Sequence, residues 1–432
     1  MSSEWSSLTL KEAGVVLIDC DHRTPPAADE GYPYIAIPQL KNGHIALDGA
    51  RMISQADYID WTKKLKPQAN DVIVVRRCNS GDSAHVPAGL DCAIGQNLVI
   101  LRASGDRVLP SFLRWLLKGP QWWNQVSKFI NVGAVFDSLR CRDIPNFELT
   151  IPPLDQQDKI ASILGAIDDR ITLLRGTNAT LEAIAQALFK SWFVNFDPVH
   201  DKAKGVDPEG MDAATAALFP DTFEESELGL VPSGWKVRSV YDVARVIYGA
   251  PFASKRFNTE GVGSPLVRIR DLKHESPGVY TDENHPKGYM IQPGDLVVGM
   301  DGEFRAYLWG GSPAWLNQRV CVFAPEPGVP AAFIHRSIMP LLAAVEASET
   351  ATTVIHLGKN DIDRFRVVVP SQKILAGFAA VAEPIYARIV ENKQTAFSLS
   401  ALRDTLLPRL ISGQLRLPET EAFLDNMLSE SI

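Results

Sequence analysis

Two stretches of this sequence concentrate side chains able to reach a phosphate or the edge of a base. "VRRCNSGDSAH" (Val75–His85) carries Arg76, Arg77, Asn79, Ser80 and His85, and "VRIRDLKHE" (Val267–Glu275) carries Arg268, Arg270, Lys273 and His274. Lys255 and Arg256 precede the second stretch, and "MDGEFRAYLWGG" (Met300–Gly311) adds Arg305 and Tyr307. Arginine presents a planar fork that pairs bidentately with guanine, and asparagine does the same with adenine. A lysine such as Lys255 suits backbone phosphate, where a point charge is enough. Taken singly, each of these residues also reads as an ordinary solvated surface group. The case for nucleic acid rests on the loops as sets.

Chemistry of other kinds finds little support. The sequence has no GxxxxGK[ST] phosphate loop, and Gly261–Gly263 lacks the third glycine and the helix of a dinucleotide site. HExxH, GxSxG and paired CxxC motifs do not occur. "IPPL" (Ile151–Leu154) has the prolines of an amino-methyltransferase motif, but not the polar residue before them or the aromatic after. The eight histidines are dispersed, and His22 beside Asp19 and Asp21 reads as a satisfied polar residue, as does His44. We therefore expect no catalytic residues, no metal ligands and no cofactor in this chain. Five widely spaced cysteines point to reduced thiols. With no long apolar run and no signal-peptide pattern, the reading is a soluble cytoplasmic protein without a membrane partner.

A formal net charge of −8 speaks against a nucleic-acid partner until its distribution is followed. Asp197–Gly234 holds nine acids against Lys202 and Lys204, and the tail from Pro418 adds four more acids. The rest of the chain is slightly basic, and Lys236–His274 carries eight Lys/Arg against three acids. Local basic faces, not total charge, decide phosphate binding.

The elements that must position these loops occur twice. "RDIPNFELTIPP" (Arg142–Pro153) aligns with "NDIDRFRVVVPS" (Asn360–Ser371), "NDVIVV" (Asn70–Val75) with "GDLVVG" (Gly294–Gly299), and "QNLVI" (Gln96–Ile100) with "QRVCV" (Gln318–Val322). "EWSSLTLKEA" near the start matches "GWKVRSVYDV" from Gly234, pairing Trp5 with Trp235. Four matches in one order, with offsets drifting only from 230 to 218, indicate an internal duplication. Each repeat opens with short β-branched runs separated by Gly, Pro, Asn and Asp, predicting strand-rich α/β structure. Each then continues into a long helix. In the first, Ile160, Ile163 or Leu164, Ile167, Ile171, Leu174, Asn178, Leu181, Ala185, Leu188 and Trp192 recur at alternating spacings of three and four, a coiled-coil stripe. The second stripe runs through Ile374, Phe378, Val381, Ile385, Ile389, Leu399, Leu402, Leu406 and Leu410. Pro384 predicts a break there, with a short helix before it and a long one after, and Pro408 a kink near the end. Asn178 and Asn392 fall near seam positions, where a buried amide fixes register; a solvated edge is the other reading. The two helices are expected to pack antiparallel as a spacer between two globular regions.

Three segments then carry a family resemblance. "IPPLDQQDKIASILGAIDDRITLLRGTNATLEAIAQALFKSWFVNFDPV" (Ile151–Val199) resembles the central conserved region of type I restriction–modification specificity subunits. "LFPDTFEESELGLVPSGW" (Leu218–Trp235) resembles the lead-in to their second target-recognition domain. "PIYARIVENKQTAFSLSALRDTLLPRLISGQL" (Pro384–Leu415) is similar to their distal conserved region. The resemblance implies target-recognition domains at 1–153 and 235–370, helical spacers at 154–196 and 371–417, an acidic linker at 197–234 and an acidic tail at 418–432. It implies a non-catalytic DNA-recognition subunit, each domain reading one half of a bipartite site in double-stranded DNA while the helices set the gap. The helices would also dock DNA methylation (modification) subunits and, through these, a restriction/translocation subunit. S-adenosylmethionine, ATP and magnesium would belong to those partners. Under this reading Phe189, Trp192, Phe193 and Phe196 either pack as core beneath the first globular region or form a docking surface, together with Leu406 and Leu410 on the second helix. Two other readings stay open: a DNA-binding adaptor for a different effector, and a divergent methyltransferase or nuclease.

Overall fold

The computed structural model describes residues 5–133, 136–348 and 355–415. Its contacts divide the chain into two units, one comprising the residues up to Asp169 together with the chain from Leu399 onward, the other Arg170–Ser398. Each unit holds one globular region and part of both long helices. The expected acidic tail lies outside the described residues.

The duplication is visible strand by strand. In the first unit Ser6–Thr9 pairs antiparallel with Glu148–Ile151, and in the second Lys236–Ser239 pairs antiparallel with Arg366–Val369. The first unit's four-stranded sheet runs Val15–Asp19, Leu98–Ala103, Val72–Val75, Ser83–His85. The second unit's runs Ala244–Tyr248, Val320–Pro325, Leu296–Gly299, Ala306–Leu308. Both centres are continuous apolar runs, Val72–Val75 and Leu296–Gly299, buried at every residue as a strand covered on both faces demands. Each unit also has a second sheet built on a parallel pair: Tyr32–Ile35 with Ala93–Ile94, and Ser264–Val267 with Ala314–Leu316. That sheet has three strands in the first unit and five in the second. The two regions therefore share a framework and differ in what decorates it.

The first long helix spans Leu154–Phe193, 40 residues, or about 60 Å at 1.5 Å per residue. It begins after Pro152 and Pro153, and the buried Gln157 anchors its start: its amide accepts from the Leu109 N–H and donates to the Arg107 and Pro152 carbonyls. The predicted stripe is the buried one, with Ile160, Leu164, Ile171 and Ala185 at 1% exposure or less. The second long helix spans Gln372–Ile411 without interruption. The break expected at Pro384 does not form. Pro384 and Ala380, whose carbonyl it leaves without an intrahelical partner, both sit on the exposed face where water can serve that carbonyl. Meanwhile Phe378, Ala382, Tyr386 and Ile389 hold the opposite face in the core. Val381, assigned to the stripe from sequence, is 45% exposed, and Ala382 takes the buried position.

In the second unit the two helices run antiparallel. Asn178 lies opposite Asn392, while further along Phe189, Trp192 and Phe193 pack on Phe378. Both asparagines are buried; Asn392 Nδ2 donates to Asn178 Oδ1 at 2.8 Å, and Asn178 Nδ2 donates to the Ile389 carbonyl at 3.0 Å. This is the seam reading, with both amide nitrogens and the Asn178 oxygen matched to partners. A slip of one residue would leave these groups unpaired at about 1–3 kcal/mol apiece.

Pro384→Ala restores a backbone hydrogen bond on an exposed helical face and is expected to stabilise the protein by about 1–3 kcal/mol. Urea unfolding followed by circular dichroism measures this, and a neutral or destabilising result would show that the ring itself packs favourably.

Candidate nucleic-acid interface

The sites that could meet nucleic acid are best built from the repeat. In each unit the parallel strand pair leads into a short helical turn, Ile37–Gln39 in the first and Ile269–Leu272 in the second. The turn is capped alike in both: the Ala36 N–H donates to the Gln39 side chain, and the Arg268 N–H to the Asp271 carboxylate. The hairpin following the central strand is likewise matched. Arg77 bridges to Ser138 in the first unit, and Asp301 to His356 in the second. The Arg76 N–H donates to the Asn97 carbonyl, and the Met300 N–H to the Arg319 carbonyl. Positions 36, 38, 77, 97 and 138 thus correspond to 268, 270, 301, 319 and 356.

In the second unit these positions surround a cleft of about 480 Å³ lined by Arg268, Ile269, Arg270, Asp301, Gly302, Asn317 and Arg319. Arg268 Nε lies 3.2 Å from Asp271, and Arg319 Nη1 lies 3.6 Å from Asp301, which His356 Nδ1 also holds at 2.6 Å. Arg270 is exposed and makes no ion pair among the described residues. The loop sets named from sequence therefore meet only in part. Arg268 and Arg270 share the cleft, and Arg319 and Asn317 join them unforeseen, although their place in the repeated "QNLVI/QRVCV" block marked the spot. Lys255, Lys273 and His274 are exposed outside it. Arg256 is exposed and committed to Asp282 at 2.8 Å, and Arg305 lies exposed 3.8 Å from Glu303. Tyr307 is half-buried against the apolar core between the second unit's two sheets, so its ring is largely structural.

In the first unit the Val75–His85 set divides. Arg77 and Asn79 are exposed at the hairpin tip, where Cys78 and Asn79 take left-handed backbone at φ 57° and 66°. Arg76 is half-buried, 3.8 Å from Asp19. Ser80 is buried and donates to the Arg76 carbonyl at 2.9 Å, closing the turn; it is not available to a ligand. His85 sits at the far end of the hairpin and belongs to a different cluster. A cleft of about 880 Å³ overlaps the equivalent place only at Ala36, Ile37 and Pro38; it extends to Thr24, Asp29 and Arg51 and does not include Arg77 or Asn97. The residues flagged by type in this half were thus too narrow a net.

His85 joins the group that ties the first unit's sheet to its helices. Asp168 of the first long helix, 1% exposed, is met by Arg403 at 2.7 Å, His44 at 3.2 Å and Arg114 at 3.3 Å. Burial opposes its charge, but hydrogen bonds from His44 and Arg403 and the nearby Lys118 ammonium outweigh it and hold the carboxyl well below its usual range. Burial lowers Lys118 to about 8. Burial, with Arg114 alongside, lowers His85 to about 4, so the ring is neutral; Nδ1–H donates to the Gly43 carbonyl and Nε2 accepts from Arg114. In the second unit the corresponding tie is Lys393 of the second long helix, 2.6 Å from the buried Glu275 carboxylate, which also accepts from the Gly310 N–H. Burial likewise lowers His335 to about 4; its Nε2–H donates to the Ala306 carbonyl while Tyr386 Oη–H donates to Nδ1.

The aromatic cluster needs correcting. Phe189, Trp192 and Phe193 are 6–8% exposed and pack on Trp235 and Phe333 of the second globular region, Phe219 of the segment leading into it and Phe378 of the second long helix. They are core beneath the second region, not the first, because the helix ends among that region's residues. Phe196 is half-buried on Trp235, and Leu406 and Leu410 are 2% and 1% exposed. None of the six presents an open apolar face to a partner. Asp19, Cys20 and His22 do approach one another closely enough to share an ion. Burial and Asp19 raise the Cys20 thiol, however, and His22 Nε2 is paired with Asp19 at 3.1 Å, so the group is poorly suited to a thiolate ligand. The described cysteines are all free. Among the described residues no helix is long and apolar enough to cross a membrane.

Two copies of one strand framework, each followed by a long helix, define a duplicated protein. Comparison with known proteins agrees. Residues 4–183 match the family described as type I restriction modification DNA specificity domain. The MjaIX specificity subunit of Methanocaldococcus jannaschii is 26% identical over 73% of this chain and 71% of its own length. The HindI specificity subunit of Haemophilus influenzae is 25% identical over 74% and 81%. The EcoBI specificity subunit of Escherichia coli is 32% identical over 43% and 40%. In fold, the S subunit of a type I restriction–modification system from M. genitalium superposes with a TM-score of 0.57, covering 95% of this chain and 96% of that one at 15% identity. The chain is thus similar to type I restriction–modification specificity subunits over about three quarters of its length.

The pH dependence of stability follows from the two histidines. Each has a folded pKa near 4 against about 6.5 unfolded, so the unfolded chain takes up protons first as pH falls. Stability is full above about pH 6.5 and is expected to drop between there and pH 4 by about 3 kcal/mol per histidine. Below pH 4, protonation of Asp168 removes more, since its folded pKa is depressed. His335→Gln should remove its share of the slope between pH 6.5 and 4 in urea unfolding, and an unchanged slope would contradict the assignment.

Proposed function

We propose that this chain is the DNA-specificity subunit of a type I restriction–modification complex, each globular region reading one half of a bipartite duplex site. The observation that carries the reading is the duplicated strand framework with its matched turn and bridges. An unchanged framework lined by different side chains is what two readers of two sequences require. The chain itself is the non-catalytic recognition component. Catalysis, with S-adenosylmethionine, ATP and magnesium, belongs to methylation and restriction/translocation subunits that assemble with it. The long helices supply the docking face and set the gap between half-sites. Exposed apolar residues on them, Leu173 at 58%, Ile184 at 44% and Phe397 at 36%, favour docking better than the buried aromatics do.

Mapping N6-methyladenine in cells that co-express this chain and its modification subunit tests the reading. A new split motif, absent without the chain, is expected. No new methylation from a soluble assembled complex would shift the weight to a DNA-binding adaptor for another effector. Inserting seven residues within Ile160–Trp192 is expected to alter the gap or abolish binding while leaving the half-site sequences unchanged. Altered half-sites at a constant gap would refute the role of the helix.

A further inference from the structure

Within that reading, and resting on it, we propose that the cleft formed by Arg268, Arg270, Asp301 and Arg319 is the base-reading site of the second unit and that it takes a G·C pair. Three guanidinium groups line one open cleft of about 480 Å³. A purely phosphate-binding site would gain nothing from a carboxylate at its wall, because Asp301 repels the anion. The edge of a G·C pair in the major groove offers both kinds of partner, guanine O6 and N7 as acceptors and cytosine N4 as donor. Arginine satisfies the first and a carboxylate the second.

The paired states of these groups fit the assignment. Asp301 is held by His356 at 2.6 Å and stands 3.6 Å from Arg319, so both enter the cleft already oriented. Arg268 is steadied by Asp271, whose carboxylate also receives the Arg268 N–H and so fixes the turn. Arg270, with no ion pair among the described residues, has its fork open to a ligand. Arg319 is 55% exposed and Arg268 25%, so the open forks are those of Arg270 and Arg319.

The duplication supplies an internal control. The first unit places Ala36, Pro38, Arg77, Asn97 and Ser138 where the second has Arg268, Arg270, Asp301, Arg319 and His356. If these arginines served the framework, the first unit would need them too, yet it forms the same turn and the same bridges without them. Their chemistry is therefore dispensable for folding and specific to the second unit's ligand.

The chain assembled with its modification subunits is equilibrated with a library of randomised duplexes, and the bound fraction is sequenced. The unaltered complex is expected to select two half-sites, the second containing a required guanine. Arg270→Gln and Arg319→Gln are each expected to lower the preference for a guanine at one position of that half-site by roughly 5- to 150-fold, leaving the first half-site as a built-in measure of a folded complex. Arg319→Lys keeps the charge and loses the fork, so it should lose the guanine while retaining most of the affinity. Two results would overturn the assignment: an unchanged second half-site in all three variants, or a uniform weakening on every sequence with a shallower salt dependence, the mark of a phosphate contact. A complex whose unaltered form selects no split sequence would instead refute the specificity-subunit reading on which the assignment rests.

Discussion

A charge buried away from water is tolerated only when its counter-ion and remaining hydrogen bonds are delivered in place. Each unit of this protein uses that constraint to fasten its globular region to the long helices. In the first unit the helix supplies the carboxylate of Asp168, and the sheet side supplies Arg114 and His44, with Arg403 closing the set from the second helix. In the second unit the polarity is reversed: the helix supplies the Lys393 ammonium and the globular region the Glu275 carboxylate. Removing Asp168, or either member of the Lys393–Glu275 pair, would strand a buried charge at a cost of about 3–5 kcal/mol, whereas the intact sets contribute orientation more than net stability. Reversed polarity also matches each globular region to its own stretch of helix, since an exchange would bring like charges together.

These ties lie close to the clefts in the chain. Glu275 follows the turn Ile269–Leu272 that carries Arg268 and Arg270, and His44 follows the turn Ile37–Gln39. A cleft whose lining loop is held at its far end to a stiff helix keeps its side chains in place before a ligand arrives, which lowers the ordering cost of binding. Variation can then be confined to the lining residues. The comparison of Ala36, Pro38 and Asn97 with Arg268, Arg270 and Arg319 shows variation of that kind on one backbone plan.

The helical pair is specified at several levels at once. In the second unit its apolar stripe buries Ala185 and Phe189, and the facing stripe buries Phe378, Ala382 and Ile389. Such stripes alone tolerate slippage, because one leucine replaces another with little loss. The Asn178–Asn392 amide pair does not tolerate it, since a slipped register leaves buried donors and acceptors unmatched. Pro384 shows the converse: a residue hostile to helices is accommodated where its missing hydrogen bond faces water and tertiary packing supplies the rest.

The sequence by itself determined the duplication, the strand-rich character of each repeat and the first long helix nearly to its ends. All three rest on local or periodic signals: matched motifs, β-branched runs, and three–four spacing, each readable without knowing what lies across the chain. The continuity of the second helix was not legible, because Pro384 signals a break locally and only the solvent exposure of the Ala380 carbonyl cancels it. Nor was the fate of the aromatic cluster. Trp192 and Phe193 look equally apt for a core or a docking face until Phe333, Phe378 and Trp235 arrive from distant positions to cover them. The candidate site was legible by half. Arg268 and Arg270 share a turn and could be paired by eye, but Arg319, Asn317 and Asp301 come from other strands. His85, named with the tip residues, points to a different end of its hairpin, because strand pairing and not sequence distance decides which side chains meet.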